Sequence, residues 1–267
     1  MNRLKEAAKS VKIIFFDIDD TLRNSKTGLL PESVYLAFDK LRERGILTGI
    51  ATGRNLYGVV PEVKALKPDY YVTINGAYVE KSDGELIYKR PYPTELVEEI
   101  IDWLSSVGSD YGFVGGHDLA VSNWDEAAIE AIEHIYGVLP VDPDYYKEND
   151  VFQILSISKH DQSVKLPSGL VSKIRMVRWH PYSSDIIPMK GSKADGVSKI
   201  LIKLGLTAEN LMNFGDEMND AELFDLAGLS VAMERSHPTI LKKADYVTAS
   251  LENNGIYKAL LELGIIE

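Results

Sequence analysis

Residues Val11 to Leu22 read VKIIFFDIDDTL, and no other stretch constrains the fold of this chain as tightly. The apolar run Ile13 to Phe16, with Val11 just before it, is too short to span a membrane and is rich in β-branched and aromatic side chains. It therefore reads as a buried strand. Three acids, Asp17, Asp19 and Asp20, follow at once. Asp17 and Asp19 are two residues apart, so strand geometry carried one step further points both carboxylates the same way while Ile18 turns back into protein. Two unit charges about 4 Å apart repel by roughly 4 kcal/mol at an effective dielectric near 20. A bound cation is the simplest compensation.

The same design recurs along the chain. NSKTGLLPES reads as a loop of turn formers, and a helix is expected from about Glu32 to Arg44, with Val34, Ala37, Phe38 and Leu41 on one face and Gly45 as its stop. A short strand from Ile46 to Ala51 then ends in Thr52, Gly53 and Arg54, and DYYVTINGA ends in Asn75 and Gly76. Strands alternating with helices predict an α/β fold with a doubly wound, Rossmann-like parallel sheet, whose ligands sit outside the carboxyl ends of the strands. From about Tyr78 to Ile187 the texture changes. Helical stretches Thr94 to Val107 and Asp125 to Tyr136 mix there with short alternating strands such as VFQILSIS and KIRMVRWH, as in an α+β unit. The first texture returns at about Pro188, where Lys190, Gly191, Ser192 and Lys193 precede a helix from Ala194 to Leu204, and LMNFGDEMND places acids after another buried strand. LSVAM and DYVTA supply two more strands. The expected organisation is a core from residues 1–78 and 188–267, with five or six strands, interrupted by an inserted α+β cap at residues 79–187.

The expected rim carries Asp17, Asp19, Thr52, Lys193, Asp216, Asn219 and Asp220. Such a set is a poor anion site until a divalent cation enters; with Mg²⁺, a hard ion that takes oxygen ligands, it becomes a good phosphate site. Phosphoryl transfer needs positioning, charge neutralisation and a nucleophile, and a carboxylate can be that nucleophile while a second acid handles the proton. Taken singly, each motif also reads as ordinary structure. Asp, Thr and Gly are turn and cap residues, and Glu217 and Asp220 fit the acidic first turn of a following helix. Their co-occurrence, each at a strand end or helix start, favours the site.

The net charge of −11 argues against nucleic acid or an anionic membrane as the main partner. With no cysteine in the chain, thiolate chemistry is excluded and a reducing cytoplasm is the expected compartment. No apolar run approaches the ~18 residues of a membrane span, and MNRLKEAAKS has no apolar region behind its charges, so no anchor or secretion signal is expected. Neither GxxxxGK[ST] nor GxGxxG is present, which argues against a nucleotide-driven kinase or a dinucleotide oxidoreductase. The five histidines show no metal-ligand spacing.

DIDDTL, IATGR, INGA, GSKADGV and GDEMND, in this order and at these separations, resemble the haloacid dehalogenase-like superfamily of phosphotransferases, specifically its Cof-like phosphatase branch, which inserts a large cap between its second and third motifs. The resemblance covers nearly the whole chain. It implies that Asp17 is nucleophile and Mg²⁺ ligand, that Asp19 is the general acid/base and lends its backbone carbonyl to the metal, and that Asp216 is the second metal carboxylate. It further implies that Thr52 and Gly53 hold the phosphate, that Lys193 neutralises nucleophile and phosphate, and that Asn219 and Asp220 support them. Lys190, three residues away, competes with Lys193, which is preferred as the one directly preceding the amphipathic helix. Asp20 stands where the branch often has glycine and is left out of the set. Glu234, Arg235 and Ser236 replace the small turn usual after VAM.

The implied activity is a Mg²⁺-dependent phosphatase of small phosphorylated metabolites, sugar phosphates among them, working through an aspartyl-phosphate. The rivals are a phosphomutase or phosphotransferase of the same superfamily and a non-catalytic phosphometabolite-binding protein. Specificity is expected in the cap, where Gly115, Gly116 and His117 form one candidate patch and Arg175, Arg178, Trp179 and His180 another. The second also reads simply as a half-exposed strand.

Overall fold

A computed structural model describes residues 1–267, apart from the side chain of Gln162. In chain order its strands are β1 (Ile13–Phe16), β2 (Leu47–Ala51), β3 (Tyr70–Thr73), β4 (Tyr78–Lys81), β5 (Leu86–Lys89), β6 (Asp110–Val114), β7 (Leu119–Val121), β8 (Gln153–Ile157), β9 (Ile174–His180), β10 (Ser183–Pro188), β11 (Leu211–Gly215), β12 (Leu229–Ala232) and β13 (Tyr246–Val247). The chain divides into two compact units. One comprises Met1–Gly53, Val60–Lys89 and Ser192–Glu267, and the other Arg54–Val59 and Arg90–Gly191.

The first unit is built on an eight-stranded sheet in the order β13-β12-β11-β1-β2-β3-β4-β5. The pairs from β13 through β1 to β3 are parallel, and β4 and β5 add an antiparallel edge. The run IIFF of β1 explains the double winding, because alternate residues face opposite sides and all four are buried. On one side Ile13 and Phe15 join Val197, Ile200 and Leu201 of the helix Lys193–Leu204. On the other, the Phe16 ring lies 4.9 Å from Phe38 of the helix Glu32–Glu43 and stacks at 5.1 Å on Phe214. Gly49 of β2 is cut to fit: a Cβ there would stand 2.2 Å from the Phe15 ring.

Two expectations need correction. The sheet has eight strands rather than five or six, because the chain reverses after β3 and pairs twice more antiparallel. The boundaries fall at Lys89/Arg90 and Gly191/Ser192, not at 78/79 and 187/188, and the segment Arg54–Val59 groups with the second unit.

That second unit holds a five-stranded antiparallel sheet, order β7-β6-β8-β10-β9. Its helix Thr94–Ser106 buries Val97, Ile100, Ile101 and Leu104 in a core shared with Phe113, Ile154, Ile174 and Ile186. The helical stretch expected from Asp125 to Tyr136 forms, capped by the Asp125 carboxylate on the Ala127 and Ala128 amides, but a π turn at Ile129–Glu133 interrupts it. Among the described residues no helix is long and apolar enough to cross a membrane.

β1 lies between β2 and β11, where the strand order reverses. In doubly wound sheets ligands bind outside the carboxyl ends of the strands at such a point. Asp17, Thr52 and Asp216 are the residues that follow these three strand ends.

Candidate active site

The first unit alone assembles the candidate site. Asp17 continues β1 by one residue, its amide donating to the Phe214 carbonyl at 3.1 Å, and is buried. Lys193 opens its helix behind Ser192, whose hydroxyl accepts from the Asp195 amide while the Asp195 carboxylate accepts from the Ser192 amide. A cation in a helix's first turn meets the unfavourable end of the macrodipole. Here two carboxylates outweigh that: Lys193 Nζ donates to Asp17 Oδ1 at 2.8 Å and to Asp220 Oδ1 at 2.7 Å, with no exposed surface on the lysine.

Asp220 serves the loop as well as the lysine. Its Oδ2 accepts from the amides of Asp216 at 3.1 Å and Glu217 at 3.3 Å, which fixes the turn after β11. A Cβ on Gly215 would lie 2.5 Å from that oxygen, so glycine is required for the carboxylate to fold back. Asp216 Oδ1 accepts from the hydroxyl of Thr21, itself wholly buried, at 2.6 Å.

Thr52 is 1% exposed, and its amide donates to the Val72 carbonyl at 2.9 Å. Its carbonyl accepts from the Asn75 amide at 3.0 Å. Gly53 faces a pair of amides, Asn219 Nδ2 donating to Asn75 Oδ1 at 3.1 Å. Asn219 Oδ1 is sealed from solvent and meets no donor.

The acids differ in state. Burial, foremost, and then the Asp220 and Asp19 charges raise the Asp17 carboxyl to about 7, against the opposing pull of Lys193. Burial and the Asp17 charge raise Asp216 to about 8. Burial alone would lower the Lys193 ammonium, but Asp17 and Asp220 outweigh it and hold the group above its ordinary value. Asp17, Asp216 and Asp220 each offer an oxygen within 4.8 Å of the others. Three buried carboxylates against one ammonium, all with oxygen donors, fit a hard divalent cation.

Every expected residue of the set lies in this unit, and Asp19 is half-buried on the loop after β1, close enough for its charge to act on Asp17. Lys190 is exposed and belongs to the other unit, whereas Lys193 is the lysine that reaches the acids. Asp20 shapes the loop instead. At φ +57°, its carboxylate accepts from the Ser25 amide at 2.9 Å and hydroxyl at 2.7 Å. Of the unusual triplet, Glu234 accepts from the Ser250 amide and Ser236 donates to the Met233 carbonyl, while the Arg235 side chain is 76% exposed near Glu252.

In the second unit Gly115 to Asp118 form the β6–β7 turn, where Tyr145 donates to the Asp118 carboxylate. Arg178 pairs with the buried Asp161, which also takes the Ser156 and Ser184 hydroxyls, so it is committed to structure. Two contributors escape sequence reasoning. Thr21 stands inside DIDDTL, and Asn75 reads only as a strand-end mark; the hydroxyl and amide in those motifs are the available signals.

A family model described as haloacid dehalogenase-like hydrolase matches residues 14–260. A Streptococcus pyogenes protein, provisionally named a bifunctional phosphatase/peptidyl-prolyl cis-trans isomerase, is 45% identical over 265 residues; these are 99% of this chain and 56% of that protein's length. The chain therefore spans little more than half of that relative. A solved structure from Geobacillus kaustophilus aligns with a TM-score of 0.87 at 32% identity, covering 96% of this chain and 100% of the other. The subclass IIB sugar phosphatase BT4131 aligns with a TM-score of 0.80 at 30% identity and the same coverage. With its motifs on one rim of a matching fold, the chain belongs to the haloacid dehalogenase-like hydrolases, in their Cof-like phosphatase branch.

Proposed function

We propose that this protein is a Mg²⁺-dependent phosphatase that hydrolyses small phosphorylated metabolites through an aspartyl-phosphate on Asp17. The observation that carries this reading is the wholly buried Lys193, held between Asp17 and Asp220 beside Asp216. One oxygen of Asp17 accepts from Lys193, which leaves the other to attack phosphorus as the ester P–O bond breaks. Asp19 gives its proton to the departing alkoxide. It then takes one from the water that attacks phosphorus, which frees inorganic phosphate and regenerates the Asp17 carboxylate. Lys193, protonated throughout, offsets the charge of nucleophile and phosphate. Thr52, Gly53 and Asn219 bind the phosphate oxygens, and Asp220 holds the lysine and the Asp216 loop.

Asp17, Asp216 and the backbone carbonyl of Asp19 would hold the cation. When bound, Mg²⁺ supplies neutralising charge at the phosphate oxygens. The likeness to a sugar phosphatase makes sugar phosphates the first class to try. A cysteine-free chain suits a reducing cytoplasm, the location that goes with this reading.

A panel of phosphorylated metabolites, assayed for inorganic phosphate with and without Mg²⁺, tests the reading. Mg²⁺-dependent release that leaves acceptor sugars unphosphorylated supports hydrolysis. Transfer to an added sugar would reassign the protein as a phosphotransferase, and no turnover on any substrate would reduce it to a binding protein.

A further inference from the structure

The turn after β3 carries three consecutive residues in the left-handed region, Ile74 at φ +50°, Asn75 at φ +50° and Gly76 at φ +87°. Glycine adopts this conformation freely and asparagine tolerates it, but a β-branched isoleucine there is strained. The surroundings enforce it. The Asn75 amide is tied to the Thr52 carbonyl at 3.0 Å, and the Ala77 amide to the Ile74 carbonyl at 3.1 Å. Gly76 packs so close to the start of the Lys193 helix that a Cβ would stand 2.0 Å from the Ser192 carbonyl oxygen. The turn thus joins Thr52 to the helix that carries Lys193.

Its central side chain is left with chemistry to do. Asn75 Oδ1 accepts from Asn219, whereas Asn75 Nδ2 donates to no acceptor among the described residues, and both amide atoms lie 3.4 Å from the Cβ position of Gly53. A phosphate offers only acceptors, so a free amide donor beside Gly53 and Asn219 complements it. We propose that Asn75 is a further phosphate-binding residue, its Nδ2 held across Gly53 by the strained turn and by the hydrogen bond from Asn219. The proposal rests on the phosphatase reading for the site's location, but it concerns phosphate binding rather than turnover.

Asn75→Gly separates the side chain from the backbone, since glycine accepts φ +50° and the turn persists without the amide. In the full chain with Mg²⁺, the KM for p-nitrophenyl phosphate and the Ki for inorganic phosphate should rise together by about tenfold, the value of one charge-assisted hydrogen bond, with kcat changing much less. Asn75→Asp should weaken phosphate further. A Ki in Asn75→Gly within about twofold of wild type would overturn the proposal, as would a fall in kcat with Ki unmoved. Calorimetric titration with inorganic phosphate keeps the two readings apart. A wild-type chain that binds phosphate without turnover sinks the phosphatase reading, and a tenfold loss on Asn75→Gly then still supports Asn75. A wild type that neither binds nor turns over would overturn both.

Discussion

Lys193 has no exposed surface, and its ammonium donates to both Asp17 and Asp220. Removing one partner of a buried ion pair leaves uncompensated charge, at a cost of about 3–5 kcal/mol. Lys193→Met, which keeps the length but not the charge, should abolish activity and destabilise the metal-free protein by about that amount near neutral pH. Denaturant melts at two pH values would measure it, and an unchanged midpoint would contradict the account.

The raised carboxyls make a second prediction with a definite sign. Asp17 and Asp216 stand at about 7 and about 8 instead of 3.8, so between about pH 4 and 8 the folded metal-free site holds protons that the unfolded chain has released. Their contribution to stability therefore falls as pH rises through that window. A divalent cation held on these oxygens would compete with protons, so the rise in Tm that Mg²⁺ produces should grow from about pH 5 to 8. A Tm increment independent of pH would argue against a cation on these acids. If Asp216 holds the cation, Thr21→Val, which removes the hydroxyl on that carboxylate, should raise the Mg²⁺ concentration needed for half-maximal activity by about tenfold.

At the scale of elements, most of the fold is legible in the sequence because the polar residues that end β1, β2 and β11 are motif residues as well as stop signals. The edge hairpin of β4 and β5 is not. Antiparallel edge strands alternate in the same manner as those of the second unit, so Tyr78 reads as the start of the insertion rather than as the last part of the core sheet. The π turn at Ile129–Glu133 is hidden for a different reason, since one wide turn barely disturbs a helical repeat of apolar residues. In the site, acids and lysine are readable from strand ends and a helix start. Thr21 and Asn75 are not, because their roles depend on partners far along the chain, Asp216 and Asn219. Gly49 offers an element-scale test. Gly49→Ala places a methyl against Phe15 between two central strands and should cost about 1–3 kcal/mol of stability in a denaturant melt without changing the KM for p-nitrophenyl phosphate.

Across the whole molecule, chemistry and the second core are kept apart. The first unit contains every residue assigned to chemistry, and the second has its own sheet and its own apolar cluster. The six residues Arg54–Val59, next to Thr52 and Gly53 in the chain, belong to the second unit. Asn55, 2% exposed, donates to the Gly115 and Asp118 carbonyls at 3.2 and 3.0 Å, and the Leu56 amide to the Gly116 carbonyl at 3.1 Å. Separate cores predict separable stability. Ile100→Ala should destabilise the second unit by about 2–5 kcal/mol, and hydrogen exchange should quicken in residues 90–191 while the β1 amides stay protected. Uniform loss of protection would show a single cooperative core instead.

On the proposed mechanism Asp17 carries the phosphoryl group. Rapid acid quench of the Mg²⁺-loaded protein during turnover of p-nitrophenyl phosphate, followed by peptide mass analysis, tests it directly. One phosphoryl group is expected on the peptide containing Asp17, and none in Asp17→Asn, which should fold normally and release no phosphate. Steady phosphate release by Asp17→Asn, or a phosphoryl group on any other residue, would contradict it.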